Sequence, residues 1–351
     1  MFARSPVYTA MPVNDSVDPR PFGMCPLEIL QHIFELACTD GGFTGCSLAC
    51  TSKAVRAAAR ATRFHSVIID ASPQRLQTFL ALHTRQRSTS PPESDGSRVR
   101  HLHITLPCVP HAALLAPCFD HTRRLLQAVA DDLYTLVIRD YPRPLAIPMP
   151  TFPIIDRPFP VLQELTVVPL STPSILADKD VVGPLFPVAT HLHLIPSNCT
   201  HRALSISSWL SHAPRSSHLR VPNIDYSYPQ KVIQDLRAVL GCAPELPAGL
   251  DESTQPPQHQ RITHPHLRRV ILRGRAPPFP GGLCGGQRAS IRYELFTRWL
   301  DKLADCPVYD GLKIVSLKPY GREPTLDEWC RAVKGQWLDR MVGGAGCWEE
   351  E

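Results

Sequence analysis

Between Pro26 and Cys38 the polar side chains form one narrow line. Glu28, Gln31, His32 and Glu35 fall at i, i+3, i+4 and i+7, neighbouring places on one helical face. Leu27, Ile29, Leu30, Ile33, Phe34, Leu36 and Ala37 take up the rest of the circumference. An ordinary surface helix buries a single apolar stripe, whereas this one asks to be covered on two sides. Pro26 suits a first helical position, because its missing N–H would be unpaired there anyway. Asp40-Gly41-Gly42 stops the helix and turns the chain. Thr44 or Ser47 can cap a short second helix, and Ser52 a third from Lys53 to Thr62. A unit of about 40 residues is marginal by itself, so it leans on its neighbours or on a partner.

Phe64 to Ile69 then reads as a strand and Pro73 to Leu82 as a helix with Leu76, Phe79 and Leu80 on one face. The Ser-, Pro- and Gly-rich stretch between Arg85 and Arg98 reads as a flexible linker. Beyond it an apolar-x-x-apolar-x-apolar pattern recurs six times: Val99/Leu102/Ile104, Leu133/Leu136/Ile138, Leu162/Leu165/Val167, Ala189/Leu192/Leu194, Leu267/Val270/Leu272 and Leu312/Val315/Leu317. Leu219/Val221 is a weaker member with Ser216 in first place, and the starts are separated by 34, 29, 27, 27, 51 and 45 residues. Helical patterns fill several gaps, at Phe119–Ala130, His201–Leu210, Gln230–Leu240 and Ser290–Asp305. A last helix, Leu326–Met341, follows Thr325 with Glu328 three residues on, a capping-box pattern. Strand and return segment at a regular step predict a mostly parallel sheet, with the strands near Val99, Leu133, Leu162 and Ala189 adjacent, and the last helix closing the end of the array. An unrelated α/β domain whose strands happen to recur fits the same triplets.

The pattern Pro26-Leu27-Glu28-Ile29-Leu30-x-x-Ile33-Phe34, followed by Leu48-x-x-x-Ser52-Lys53, resembles the F-box, in particular the F-box-like segments of a large group of fungal proteins. The resemblance covers about Pro26 to Phe64. It implies three short helices that dock on a Skp-type adaptor of a cullin-based ubiquitin ligase. It also implies that Pro26, Leu27, Ile29, Leu30, Ile33, Phe34, Leu48 and Val55 belong to the docking surface. Cys25 stands where the family most often has Leu, and Val55 where many members carry Trp; both changes would weaken docking. The triplets resemble the irregular leucine-rich repeats that accompany F-boxes, although the Asn or Cys of that consensus is replaced by Tyr141, Leu170, Ser197, Ile224, Arg275 and Tyr320. The expected fold class is therefore α/β: a small N-terminal three-helix F-box-like unit, then an irregular leucine-rich-repeat-like solenoid with a mostly parallel sheet. The expected boundaries are a disordered tail over 1–22, the F-box-like domain over 23–64, a connecting strand, helix and linker over 65–98, the repeat domain over 99–342 and a C-terminal tail over 343–351.

Composition narrows the function classes. A 43% hydrophobic content in 351 residues supports a real core. The net charge of +5 comes from scattered basic residues, and no basic run is interleaved with aromatics, so nucleic-acid binding is not expected. No uninterrupted apolar stretch of about 18 residues occurs and Met1 to Pro21 lacks a signal-peptide pattern, so no membrane association is expected. The 12 Cys are dispersed and read as reduced thiols of a cytoplasmic or nuclear protein. The 37 Pro cluster between elements, as rigid connections would. There is no Gly-x-Ser-x-Gly elbow, no His-Glu-x-x-His and no phosphate loop; the glycine run at Gly281 to Gly286 lacks the terminal Lys. Cys46 and Cys50 have no matching second pair for zinc. No catalytic residue, metal or cofactor is expected.

Strand alternation makes a more specific suggestion. If Leu102 and Leu192 face the core, the flanking residues face the other way. His103, Thr166, His193, Arg220 and Ile271 are then candidate contacts for a cargo protein, or simply solvated positions. The whole reading is a non-enzymatic adaptor that holds an unknown substrate protein near the ligase. The alternatives are a scaffold whose F-box-like helices act only as a cap, and an enzyme with an unrecognised Cys/His site.

Overall fold

The computed structural model describes residues 25–89, 98–106, 112–139, 153–168, 176, 183–196, 205–226, 229–241, 264–278, 286–305 and 311–349. The expected N-terminal tail, most of the Ser/Pro-rich linker and Gly281 to Gly285 of the glycine run lie outside them. The described residues begin with three helices: α1 (Leu27–Ala37), α2 (Phe43–Thr51) and α3 (Lys53–Ala58). Five strands and two helices follow in the order β1 (Ser66–Asp70), α4 (Pro73–Ser88), β2 (His101–Thr105), α5 (Ala112–Val129), β3 (Thr135–Arg139), β4 (Glu164–Val168) and β5 (His191–Leu194). The remainder is α6 (Ile206–His212), β6 (His218–Ile224), α7 (Pro229–Leu240), β7 (Arg269–Gly274), α8 (Gly286–Ala304), β8 (Lys313–Leu317) and α9 (Leu326–Met341).

The architecture is α/β, with one eight-stranded sheet in the order β1 to β8 and every neighbouring pair parallel. The strands expected near Val99, Leu133, Leu162 and Ala189 are adjacent and parallel. The segment read as a connection after the helical unit supplies the first strand of the same sheet. Its Phe64/Val67/Ile69 follow the repeated triplet, because Val67 pairs with Leu102 and Ile69 with Ile104.

The register explains the triplet. Val67, Leu102, Leu136, Leu165, Leu192, Leu219, Val270 and Ile314 stand side by side across the sheet. All belong to one buried core. Helices α4 to α8 cover this face through Leu76, Leu125, Leu126, Trp209, Leu236, Phe296 and Trp299. The last triplet is corrected by one residue: Ile314, not Val315, pairs with Val270. Val315 and Leu317 turn to the other face and pack with Ile271, Cys347 and Trp348. Because side chains alternate with a period of two, a frame error of one exchanges the faces completely.

The helical unit has its own small core of Leu30, Phe34 and Ala59, with Cys25, Leu48, Val55 and Ala58 against it. Ser52 caps α3 by accepting from Val55 N–H. Asp40, rather than Thr44 or Ser47, caps α2: its carboxylate accepts from the backbone N–H groups of Gly42 and Thr44 and from the Thr44 hydroxyl. The unit is tied to the sheet edge. Gly41 N–H donates to Ser66 Oγ at 2.9 Å, Ile68 N–H donates to Gly41 O at 3.0 Å, and the Ser66 hydroxyl donates to Cys38 O. Gly45 passes so close to β1's approach that a Cβ there would lie 2.2 Å from the Arg63 carbonyl oxygen.

Gly45→Ala is therefore expected to push α2 off the sheet edge and to cost about 1–3 kcal/mol in denaturant unfolding. An unchanged unfolding midpoint would contradict this packing.

Candidate functional site

Two surfaces carry the residues singled out in the sequence. The first is α1. Its polar line and its size leave room for one buried stripe, and the structure buries only Leu30 and Phe34. Leu27, Ile29, Ile33 and Leu36 remain 49–66% exposed, and Phe43 at the start of α2 is 77% exposed. The eight residues expected to dock a partner are thus divided. Pro26, Leu27, Ile29 and Ile33 face solvent, Leu30 and Phe34 fill the unit's own core, and Leu48 and Val55 pack half-buried against them. Leu30 and Phe34 are corrected from surface to support. Their i, i+4 spacing faces α3, and only contact with α2 and α3 distinguishes that stripe from the exposed one.

The second surface is the sheet face opposite the helical layer. Here the register assembles one polar row and one row of mixed polarity. His101, Thr135, Glu164, His191, His218, Arg269 and Lys313 form the first. Ile68, His103, Val137, Thr166, His193, Arg220, Ile271 and Val315 form the second. The five residues proposed as cargo contacts do point away from the leucine core, as alternation requires. They are not exposed: His103, Thr166, His193, Arg220 and Ile271 are all at most 6% accessible.

The covering element is α9, which lies on the sheet face instead of closing the end of the array. Val333 and Trp337 pack with Val137, Val168 and Ile195, supported by Trp329 and Met341. These residues recur at i, i+4, i+8 and i+12 along α9, one apolar stripe for one flat surface. Trp337 also lies edge-on to His103 and donates its Nε1–H to Thr135 Oγ1 at 2.9 Å. Thr325 and Glu328 cap the helix reciprocally, as the sequence pattern foretold. The segment after α9 is no free tail. Cys347 and Trp348 are buried against Ile271 and Leu317, and Arg220 donates to the Cys347 carbonyl.

Glu164 joins the two parts of this cover. Its carboxylate accepts from Arg340 Nε at 2.9 Å and from Trp348 Nε1 at 3.1 Å. Trp348 meets His191 edge-on, and His191 stacks on His218 with centroids 4.4 Å apart. At the strand beginnings a polar cavity of about 460 Å³ opens between Glu35, His65, Arg100, His101, Gln163, His191 and Arg340. His101 hydrogen-bonds Thr135 Oγ1 there at 3.0 Å.

Covering this face has an electrostatic cost. Burial pushes the His103 and His101 imidazoles down to about 3; Arg139 and Lys334 add to the effect at His103, and His65 and Arg100 at His101. His191 is also held at about 3, by burial, His218 and Arg340. Burial, then Arg220, holds His193 well below its ordinary value. Among the described residues neither ring nitrogen of His103 and not Nε2 of His193 finds a hydrogen-bond partner. Each such atom costs about 1–3 kcal/mol relative to solvation. The apolar burial of Val333, Trp337 and Trp348 has to outweigh that cost.

No group of His, Cys, Asp or Glu among the described residues could hold a metal ion. Cys46 and Cys50 are exposed free thiols, whereas Cys38 is buried and its thiol is pushed up to about 11, by burial first and then by Asp40. No helix among the described residues is long and apolar enough to cross a membrane.

Acidification is expected to lift α9. Each covered imidazole has a folded pKa below its ordinary value near 6.5, so the open state binds protons more readily. Closure is complete above that value and weakens as pH falls toward 3, by about 2 kcal/mol per histidine at pH 5. Amide protection factors in α9, taken relative to the intrinsic exchange rate at each pH, should fall below pH 6, and His103→Phe should reduce the effect. Trp337→Ala should release α9 at neutral pH, at a cost of about 3–5 kcal/mol if the site does not collapse. Protection of α9 that is unchanged by both acid and Trp337→Ala would exclude this account. No protein-family model matches the chain, and no curated protein and no solved structure is significantly similar to it.

Proposed function

We propose that this chain is a non-enzymatic, substrate-recruiting adaptor of a Skp–cullin–F-box type ubiquitin ligase. The helical unit α1–α3 docks a Skp-type adaptor subunit, and the sheet domain, read as a degenerate leucine-rich-repeat solenoid, carries a cargo protein. The observation that supports this reading is the uncovered apolar side of α1. Ile29, Ile33 and Leu36 fall within one sector of about 60° around α1 at about 100° per residue and are all exposed, and contiguous exposed apolar side chains of this kind mark interaction surfaces. The strand order β1 to β8, following the chain without exception, supports the repeat reading, since each strand packs only against its sequence neighbours. The contribution to catalysis is proximity: holding the substrate beside the transferring enzyme raises its effective concentration. Cargo binds elsewhere than at the five covered sheet residues.

A second reading is a scaffold in which α1–α3 only caps the sheet. The hydrogen bonds from Gly41 and Ser66 at the edge of β1 favour it. A cap has no use for the outer side of α1, which separates the two readings experimentally.

Pull-down with a Skp-type adaptor should retain the wild-type chain. Ile29→Asp plus Ile33→Asp should abolish capture with little change in thermal unfolding, because both side chains lie in solvent. Leu30→Ala should instead destabilise the helical unit by about 2–5 kcal/mol. A folded wild type that is not retained would refute the ligase reading and leave the cap. Capture equal in the double variant would place docking on another surface.

A further inference from the structure

Between α3 and α4 lies a cleft of about 520 Å³ lined by Lys53, Arg56, Arg60, Arg63 and Arg85, with Ala57, Leu82, Gln86 and Thr89. Among the described residues its wall has no acidic side chain. Elsewhere in the molecule arginines pair with carboxylates: Arg75 with Asp70, Arg87 and Arg98 with Asp132, Arg157 with Asp131, Arg275 with Glu323 and Arg340 with Glu164. Among the described residues no carboxylate lies within ion-pair distance of the five cleft cations.

Neutral groups hold three of these cations, Arg56, Arg60 and Arg63, in place. Arg56 donates Nε–H to the Ala49 carbonyl, and Arg60 donates to the Thr89 hydroxyl. The Arg60 carbonyl accepts from Gln86, whose side chain is buried, and this fastens α3 to α4. The Arg63 guanidinium sits over the Phe64 ring at 4.5 Å, and its buried Nε has no hydrogen-bond partner among the described residues. Arg56 and Arg85 lie in the last turns of α3 and α4, where helix dipoles favour cations. Two helix ends supply at most about −0.5 charge each, too little to balance five positive charges. Like charges positioned by neutral groups inside a concavity form a focused positive field.

We propose that this cleft is a binding site for a small ligand carrying clustered phosphate groups. Four of the five cations are arginines, whose planar forks match phosphate oxygens two at a time. The volume exceeds what one phosphate needs and falls in the range of small-molecule sites. Among the described residues the wall contains no aromatic ring on which a nucleobase could stack, which favours a compact polyphosphate over a nucleic-acid strand. The site is independent of the adaptor reading, since none of its cations belongs to the exposed side of α1.

The test is calorimetric titration of the full chain with inorganic tripolyphosphate at fixed ionic strength. Orthophosphate serves as comparator and a single-stranded oligonucleotide as competitor. Saturable 1:1 binding is expected, at least about tenfold tighter for tripolyphosphate than for orthophosphate, as two or three charge-assisted contacts would give. Arg56→Gln plus Arg85→Gln, at exposed positions, should weaken binding by about tenfold or more with an unchanged melting temperature. Arg124→Gln plus Arg298→Gln removes the same charge elsewhere and should leave binding intact. Absence of saturable binding, or equal loss in the two variant pairs, would overturn the proposal. Tighter binding per phosphate by the oligonucleotide would overturn it in favour of nucleic acid.

Discussion

An all-parallel sheet has to be covered on both faces, and the rest of this molecule follows from that requirement. Parallel strands are joined by crossovers, and the crossovers here lay α4 to α8 on one side of β1 to β8. The other side still carries Val137, Val168, Ile195, Ile271 and Leu317, too much apolar surface to leave in water. The chain covers it with α9 and the Cys347–Trp348 turn. The five strand residues that alternation turned outward were therefore buried by the same rule that oriented them.

That cover lies over a polar substrate. The histidine-bearing rows on β2, β5 and β6 would be ordinary on a solvated face, but beneath α9 their imidazoles are held neutral and some nitrogens go unpaired. Glu164 eases the conflict locally by accepting from both Arg340 and Trp348. The second layer is consequently a balance between Trp burial and imidazole desolvation, whereas the leucine layer has no such opposition. The two sides of the sheet differ in how firmly they are held, although both are closed.

The helical unit obeys a similar division. Leu30 and Phe34 suffice to fill its small core with Ala59, Leu48 and Val55, and no further apolar surface of α1 can be buried within the described chain. The same unit turns its basic side toward α4, where a backbone carbonyl, a hydroxyl and an aromatic ring position three of the cations without neutralising them. One small unit thus presents an apolar side and a cationic cleft. Their chemistries are too different to serve one kind of partner group.

Much of this was legible in the sequence. The triplets placed β2 to β7 in frame, the Ser52 and Thr325 patterns named the caps of α3 and α9, and the excess apolar surface of α1 was visible from its periodicity. These are local properties, decided by spacing within one turn or one strand. What the tertiary structure alone decided is non-local. Amphipathicity says that α9 needs a surface but not which one, so its place over His103 and His193 could not be read. In the Leu312 to Leu317 stretch apolar residues occupy both parities, and only pairing with Val270 showed that Ile314 faces the core. Lys53 and Arg85 stand far apart in the chain, and only the Gln86 contact to α3 brings them to one cleft. Patterns of period two and 3.6 specify which side of an element is buried; which neighbour buries it depends on packing among elements distant in the chain.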